Sequence, residues 1–212
     1  HTPIGKVSVS LGTTRGTNAL LQRNGQPVAM LITKGFSDLL DIGTQARPDL
    51  FALNIQKHKP LHNHVIEINE RLDANGQVLE ALDLHQVQTQ LGQLKERGYK
   101  SLAVCLLHSY LNDDHEQQIA KLAHEMGFDQ VSVSSELSPT IKALDRFDTA
   151  VIDAYLSPVI RHYMANLRKS LGAIKVMTSA GALVDSEIFA GKDSLLGGPA
   201  GGVVGFAHAA EQ

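Results

Sequence analysis

Strand-like and helix-like segments alternate along this chain, which predicts an α/β fold. Apolar runs of strand length recur at 28–33, 102–107 and 174–178, with turns and helical patterns between them. Small-residue turns stand at 12–18, 178–182 and 197–202, and in an open α/β sheet such turns gather at one crevice. The densest is Leu195-Leu-Gly-Gly-Pro-Ala-Gly-Gly-Val-Val-Gly205. There Pro199 suits the first turn of a helix, and the glycines leave that helix start without bulk. Such a start can seat an anion or the edge of a nucleotide; it can equally be a close packing contact of helix on sheet.

Composition narrows the classes. With 212 residues, 43% of them hydrophobic and 19% charged, the chain can build one large core or two small ones. A net charge of -3 gives no electrostatic case for nucleic acid or an anionic membrane surface. No apolar run approaches a membrane span, and nothing reads as a signal peptide. The lone Cys105 lies inside an apolar run, so a reducing cytoplasm is the expected setting. His58, His62 and His64 lack the helical spacing of a zinc site and read as surface histidines in a loop. No metal ligand is assigned.

The elements follow in order. Residues 4–11 alternate apolar and polar and read as a strand; a Gly/Thr-rich turn and a short helix over 19–23 follow. Thr17 or Asn18 suits that helix as an N-cap. Residues 28–33 form a second strand, and Ser37-Asp38 opens a helix with Leu39, Leu40 and Ile42. The segment 45–51 has no periodicity; its Arg47 and Asp49 around Pro48 suit either a substrate carboxylate or a surface ion pair. Alternation over 65–71, then Asn75-Gly76, then 78–82 reads as a hairpin.

Residues 84–97 are an amphipathic helix closed by Gly98, and 101–107 a buried strand. A helix with Ile119, Leu122 and Ala123 and a strand at 130–134 complete a stretch, 65–135, that reads as its own α/β subdomain. Lys142, Asp145, Arg146 and Asp148 cluster ahead of a long helix over 149–171, where Pro158 is expected to kink or split the helix. A strand at 174–178, a short helix at 185–192 and the glycine-rich stretch end the chain. No Walker A motif and no dinucleotide fingerprint occurs, which weighs against a Rossmann dehydrogenase.

Ordered blocks go further. Gly12-Thr-Thr-Arg-Gly-Thr-Asn-Ala-Leu-Leu21, Lys34-Gly-Phe-Ser-Asp-Leu39, Gln45-Ala-Arg-Pro-Asp-Leu-Phe51 and Glu67-Ile-Asn-Glu-Arg71 are followed by Val104-Cys-Leu-Leu-His108. Asp153-Ala-Tyr-Leu-Ser-Pro158, Met177-Thr-Ser-Ala-Gly181 and Gly198-Pro-Ala-Gly-Gly-Val-Val-Gly205 complete the series. Together they resemble the hydantoinase/oxoprolinase family over nearly the whole chain. The resemblance implies an actin-like ATPase of ribonuclease-H-like halves with an inserted α/β subdomain. Divided on that pattern, 1–64 starts a half, 65–135 is the insert and 136–212 returns to the core.

The resemblance also implies an enzyme that uses ATP and Mg²⁺ to phosphorylate the amide oxygen of 5-oxoproline or a hydantoin, opening the ring. The family's two phosphate loops would lie outside residues 1–212, so this piece is expected to be inactive by itself. Gly12, Thr13, Thr14 and Asn18 are then expected near phosphates or substrate, and Gly198, Ala200, Gly201 and Gly202 along the nucleotide cleft. Arg47, Asp145 and Arg146 are weaker candidates for a substrate carboxylate or for domain closure. Expected partners are the cyclic amide, the rest of the parent chain or a second hydantoinase-type subunit, and another copy of the chain. A non-catalytic assembly module is the alternative. The chain departs from the family's pattern at Gly197, where relatives usually carry Ser, and at Ala180 and Ala182, where many carry Asn and Gly.

Overall fold

The structure is a computed structural model and describes residues 9–46, 49, 51, 53–55, 57 and 59–210, the side chain of residue 208 excepted. The elements begin with β1 (Val9–Leu11), α1 (Arg15–Leu21), β2 (Val28–Thr33), α2 (Leu39–Ile42), β3 (His62–Ile68), β4 (Arg71–Leu72) and β5 (Val78–Glu80). They continue with α3 (Leu84–Glu96), β6 (Ser101–Cys105), α4 (Asp114–Glu125), β7 (Gln130–Val133) and α5 (Ser134–Leu137). The chain ends with α6 (Ala143–Leu171), β8 (Ile174–Met177), β9 (Leu183–Asp185), a 3₁₀ turn at Gly191–Ser194 and α7 (Gly197–Ala210). These form two compact units, Pro27–Tyr155 and the pair of segments His1–Gln26 and Leu156–Gln212.

The unit Pro27–Tyr155 is built on a parallel sheet ordered β3-β2-β6-β7. All residues of β2 and β6 are buried, as expected of parallel strands covered on both faces. Val87, Leu91 and Leu94 of α3 and Ile119 and Ala123 of α4 share a core with Leu31, Leu102 and Val104. Asp83 caps α3 by accepting from the amides of His85 (3.0 Å) and Gln86 (3.1 Å). An Asn75-Gly76 hairpin forms, with Gly76 at φ +78°, but its arms are the short antiparallel β4 and β5; most of the expected arm at 65–71 belongs instead to β3, which pairs parallel with β2.

The compact unit takes β2 from ahead of residue 65, so its bounds are wider than the insert at 65–135. His62 and His64 lie on β3 rather than in a loop, and His62 is buried. Its Val28-paired position tucks it into the sheet, a long-range consequence that local spacing cannot show.

Internal polar groups occupy the carboxyl ends of these strands. Thr33 Oγ1 donates to Glu70 and accepts from the Leu107 amide (2.9 Å), and Glu70 Oε2 pairs with His115 Nδ1 (2.9 Å). Glu116 accepts from the amides of Leu106 (2.8 Å) and Ser135 (2.9 Å) and from the Ser134 hydroxyl (2.7 Å). Burial pushes its carboxyl above the ordinary range against the pull of those donors.

The other unit holds a three-stranded sheet ordered β1-β8-β9, with β1 parallel and β9 antiparallel to β8. Ile160 and Met164 of α6 pack with Ile174, Val176 and Phe189. In place of a helix at 185–192, β9 pairs with β8 and a 3₁₀ turn follows, since the Ser186 amide is drawn to the Ile174 carbonyl (3.0 Å).

Pro158 neither splits nor ends α6, which runs unbroken from Ala143 to Leu171. A proline there cannot donate to the carbonyl four residues back. That carbonyl, on Ala154, accepts instead from the buried Ser101 hydroxyl at 2.5 Å. The lost backbone bond is replaced from β6, so the helix continues. Among the described residues, no helix is long and apolar enough to cross a membrane.

Candidate functional site

β1 ends at Leu11, and the turn Gly12-Thr13-Thr14 leads into α1. The helix begins at Arg15, earlier than expected, so Thr17 and Asn18 lie inside it rather than capping it. Thr13 is buried and its Oγ1 accepts from the Arg15 amide at 3.1 Å. Asn18 reaches back, its Nδ2 3.5 Å from Thr14 Oγ1. Thr17 donates to the Leu195 carbonyl, tying α1 to the segment that precedes α7.

The amino end of α7 meets this turn. A Cβ on Gly198 would lie 2.7 Å from Thr14 Cγ2 and 3.4 Å from the Thr13 carbonyl oxygen. One on Gly12 would lie 3.7 Å from the Gly197 oxygen, and one on Gly201 3.9 Å from Gly12 Cα. Gly197 is closed by backbone, its Cβ position 2.3 Å from the Met177 oxygen. None of these glycines has a positive φ; room requires Gly197 and Gly198, whereas a Cβ at Gly12 or Gly201 would make ordinary contact. Gly202 differs, because nothing lies within 4 Å of its Cβ position.

Two groups of candidates, Gly12, Thr13 and Thr14 on one side and Gly198 and Gly201 on the other, thus come together beside Met177 at the end of β8. Ala200 is half-buried, its amide bonded to the Leu196 carbonyl at 2.9 Å. The Gly197 and Gly198 amides stand in the first turn of α7, where a helix has no partner of its own for them. The arrangement presents backbone amides and threonine hydroxyls with few side chains over them, a layout suited to phosphate oxygens.

Several supporting groups were not singled out from sequence. Ser179 accepts from the Leu196 amide (3.0 Å) and donates to the Asp193 carbonyl (2.8 Å). Ser194 donates to the Gly191 carbonyl (2.6 Å) and would collide with any side chain on Gly16, whose Cβ position is 2.0 Å from its Oγ. The buried Gly16 inside a polar segment is the one local signal for this packing.

The remaining candidates stand elsewhere. Arg47 lies outside the described residues. Asp145 and Arg146 belong to the unit Pro27–Tyr155, Asp145 exposed and Arg146 fully buried. Arg146 donates through Nε to Ser134 Oγ (3.2 Å), through Nη1 to the Thr140 carbonyl (2.6 Å) and through Nη2 to the Leu106 carbonyl (3.1 Å). Burial lowers its pKa, and Glu116 opposes that shift. Among the described residues, no cluster of three His, Cys, Asp or Glu side chains is arranged to hold a metal ion.

Residues 4–127 match the hydantoinase/oxoprolinase N-terminal region, and residues 146–212 match hydantoinase/oxoprolinase. The chain belongs to the hydantoinase/oxoprolinase family. The 5-oxoprolinase of Saccharomyces cerevisiae is 42% identical over 231 aligned residues, and 5-oxoprolinase 1 of Arabidopsis thaliana 41% identical over 225. Each alignment covers 94% of this chain and only 18% of the relative. Among solved structures, the nucleotide-free acetone carboxylase superposes with a TM-score of 0.82 at 22% identity, covering 96% of this chain and 32% of that one. The ATP-dependent caprolactamase of Pseudomonas jessenii gives a TM-score of 0.78 at 27% identity, covering 89% and 29%. The mixed α/β fold is therefore that of this family.

Proposed function

We propose that this hydantoinase/oxoprolinase chain is part of an ATP-dependent cyclic-amide hydrolase with an actin-like, ribonuclease-H-like core, and that it supplies one wall of the nucleotide cleft. The observation that carries the reading is the junction of Gly12-Thr13-Thr14 with the start of α7. The similarity to 5-oxoprolinases, and to an enzyme described as an ATP-dependent caprolactamase, supports it. The glycine-walled turn fits a polyphosphate, because Gly202 leaves open space where a side chain would stand.

ATP would supply a transferable phosphoryl group that makes a cyclic amide oxygen part of a leaving group, so that water opens the ring. This chain's contribution is positioning and charge stabilisation. Thr13, Thr14 and Asn18 would donate to phosphate or substrate oxygens, and the Gly197 and Gly198 amides would face developing negative charge. Gly198, Ala200, Gly201 and Gly202 would line the cleft. Mg²⁺ finds no ligand cluster among the described residues, so no step is assigned through it here. Arg47 remains a candidate for the substrate carboxylate and Asp145 for domain closure; Arg146 is left out because it is fully buried and each of its guanidinium nitrogens already donates within its own unit. 5-Oxoproline or a hydantoin is the proposed substrate, and the cytoplasm, where Cys105 stays reduced, the proposed setting.

A second reading, an assembly module that pairs with the rest of a parent chain, another subunit or a second copy, is favoured by one observation. Val203 and Phe206 on α7 are 71% and 79% exposed, large for apolar side chains.

Calorimetric titration with Mg-ATP tests the first reading in this chain and in a parent-length relative. Saturable binding that is lost in Gly201→Asp and Gly202→Asp is expected, with release of ADP on adding 5-oxoproline or a hydantoin to the longer protein. Binding indifferent to both substitutions would remove α7 from the cleft. Absence of ATP binding in the longer protein would overturn the reading.

A further inference from the structure

A groove of about 500 Å³ opens in the unit formed by His1–Gln26 and Leu156–Gln212. That is the size of a small-molecule site. Its polar lining is Arg15, Asn24, Gln26, His162, Tyr163 and Asn166, and none of these is a carboxylate. None of them belongs to the Gly12 and α7 site.

Two features make the groove selective for negative charge. The first is the composition of the segments that carry its walls, with Arg15 the one arginine or lysine among the lining residues themselves. Residues 9–26 and 156–171 contain five cationic side chains (Arg15, Arg23, Arg161, Arg168 and Lys169) and no Asp or Glu, in a chain whose net charge is -3. Glu187 pairs with Arg168 at 2.9 Å and does not line the groove. The second feature is the orientation of donors. Arg15 lies over the Tyr163 ring at 6.0 Å, and among the described residues it forms no ion pair. Asn166 Nδ2 donates to His162 Nε2 at 3.1 Å. That leaves Nδ1 of a neutral His162 to carry the proton and act as a donor. His162, Tyr163 and Asn166 share a helical face at i, i+1 and i+4, opposite the turn bearing Asn24 and Gln26.

We propose that this groove is a second binding site, for a small polyanion bearing phosphate or carboxylate groups. Arg15 is its charged anchor; the amides of Asn24, Gln26 and Asn166 and the imidazole of His162 supply directional hydrogen bonds. The Tyr163 ring lies within cation–π range of the guanidinium. Because Arg15 and His162 are exposed, affinity falls with added salt.

Isothermal titration of the 212-residue chain with pyrophosphate and, separately, with citrate at low ionic strength tests this. One-to-one saturable binding of at least one anion is expected, weakened about tenfold by either Arg15→Gln or His162→Leu. Arg168→Gln leaves it within about twofold. The preferred anion identifies the ligand as phosphate or carboxylate. The two weakening substitutions sit on different elements, so a folding defect in one leaves the other decisive. No saturable binding of either anion below about 10 mM overturns the proposal. So does binding that Arg168→Gln weakens as much as Arg15→Gln, which is diffuse surface charge, or binding lost in Gly201→Asp but kept in Arg15→Gln.

Discussion

Arg146 is fully buried, and every one of its guanidinium nitrogens donates to a carbonyl or hydroxyl of its own unit. Arg146→Met is expected to cost about 2–4 kcal/mol in urea denaturation, because it strands those acceptors in the core. In sequence, among Lys142, Asp145 and Asp148, it reads as a candidate for a substrate carboxylate or for domain closure. Hydropathy patterning counts any arginine as polar, so a buried, fully bonded one is invisible to it. His62 is the other hidden residue. Its Nδ1 is buried without a partner, and burial lowers its pKa from 6.5, with nearby Asp41 opposing the shift. A proton therefore binds the unfolded chain first as pH falls. The stability linked to His62 is complete above 6.5 and drains away as pH drops through the lower folded value. Denaturant melts at about pH 7.5 and about pH 5.5 should show a smaller loss for His62→Leu than for the native chain.

At the level of elements, α6 and α7 yield contrasting expectations. Ser101→Ala leaves the Ala154 carbonyl without its donor and should cost about 1–3 kcal/mol. In a Pro158→Ala background the restored amide takes that carbonyl, so the same substitution should cost measurably less in a double-mutant cycle. Equal costs in both backgrounds would mean that Ser101 does not replace the missing bond. In α7, Gly197→Ala drives a methyl into the Met177 carbonyl and should be strongly destabilising. Gly202→Ala meets open space and should stabilise by about 0.5–1 kcal/mol in thermal melts. Much of this level was legible in the sequence. β6 is uniformly apolar, α3 carries Val87, Leu91 and Leu94 on one face, and Asn75-Gly76 marks a hairpin. What escaped was set by distant partners. Short β9 exists because it pairs with β8, and α1 starts at Arg15 although its first turn holds Gly16 and Thr17. Gly16 sits there because Ser194 packs on it. The glycine and threonine turns of the candidate site could be named from sequence, but their meeting depends on the register of β1 with β8.

Over the whole molecule, burial is unevenly spread. β2 and β6 are entirely buried, whereas α7 is exposed along most of its length. Hydrogen exchange followed by mass spectrometry should find the slowest amides in β2 and β6 and early exchange in α7. Uniform protection across both would contradict that gradient. The single cysteine has a consequence of another kind. Cys105 is fully buried in β6, the chain holds no second thiol, and desolvation keeps its proton on to well above the usual pKa. It is a stopwatch installed by nature: an added thiol reagent can mark it only when the sheet of Pro27–Tyr155 opens. In a regime where marking outruns reclosure, the marking rate reads the opening rate of that unit, with no engineered label and no signal from the unit that carries α7.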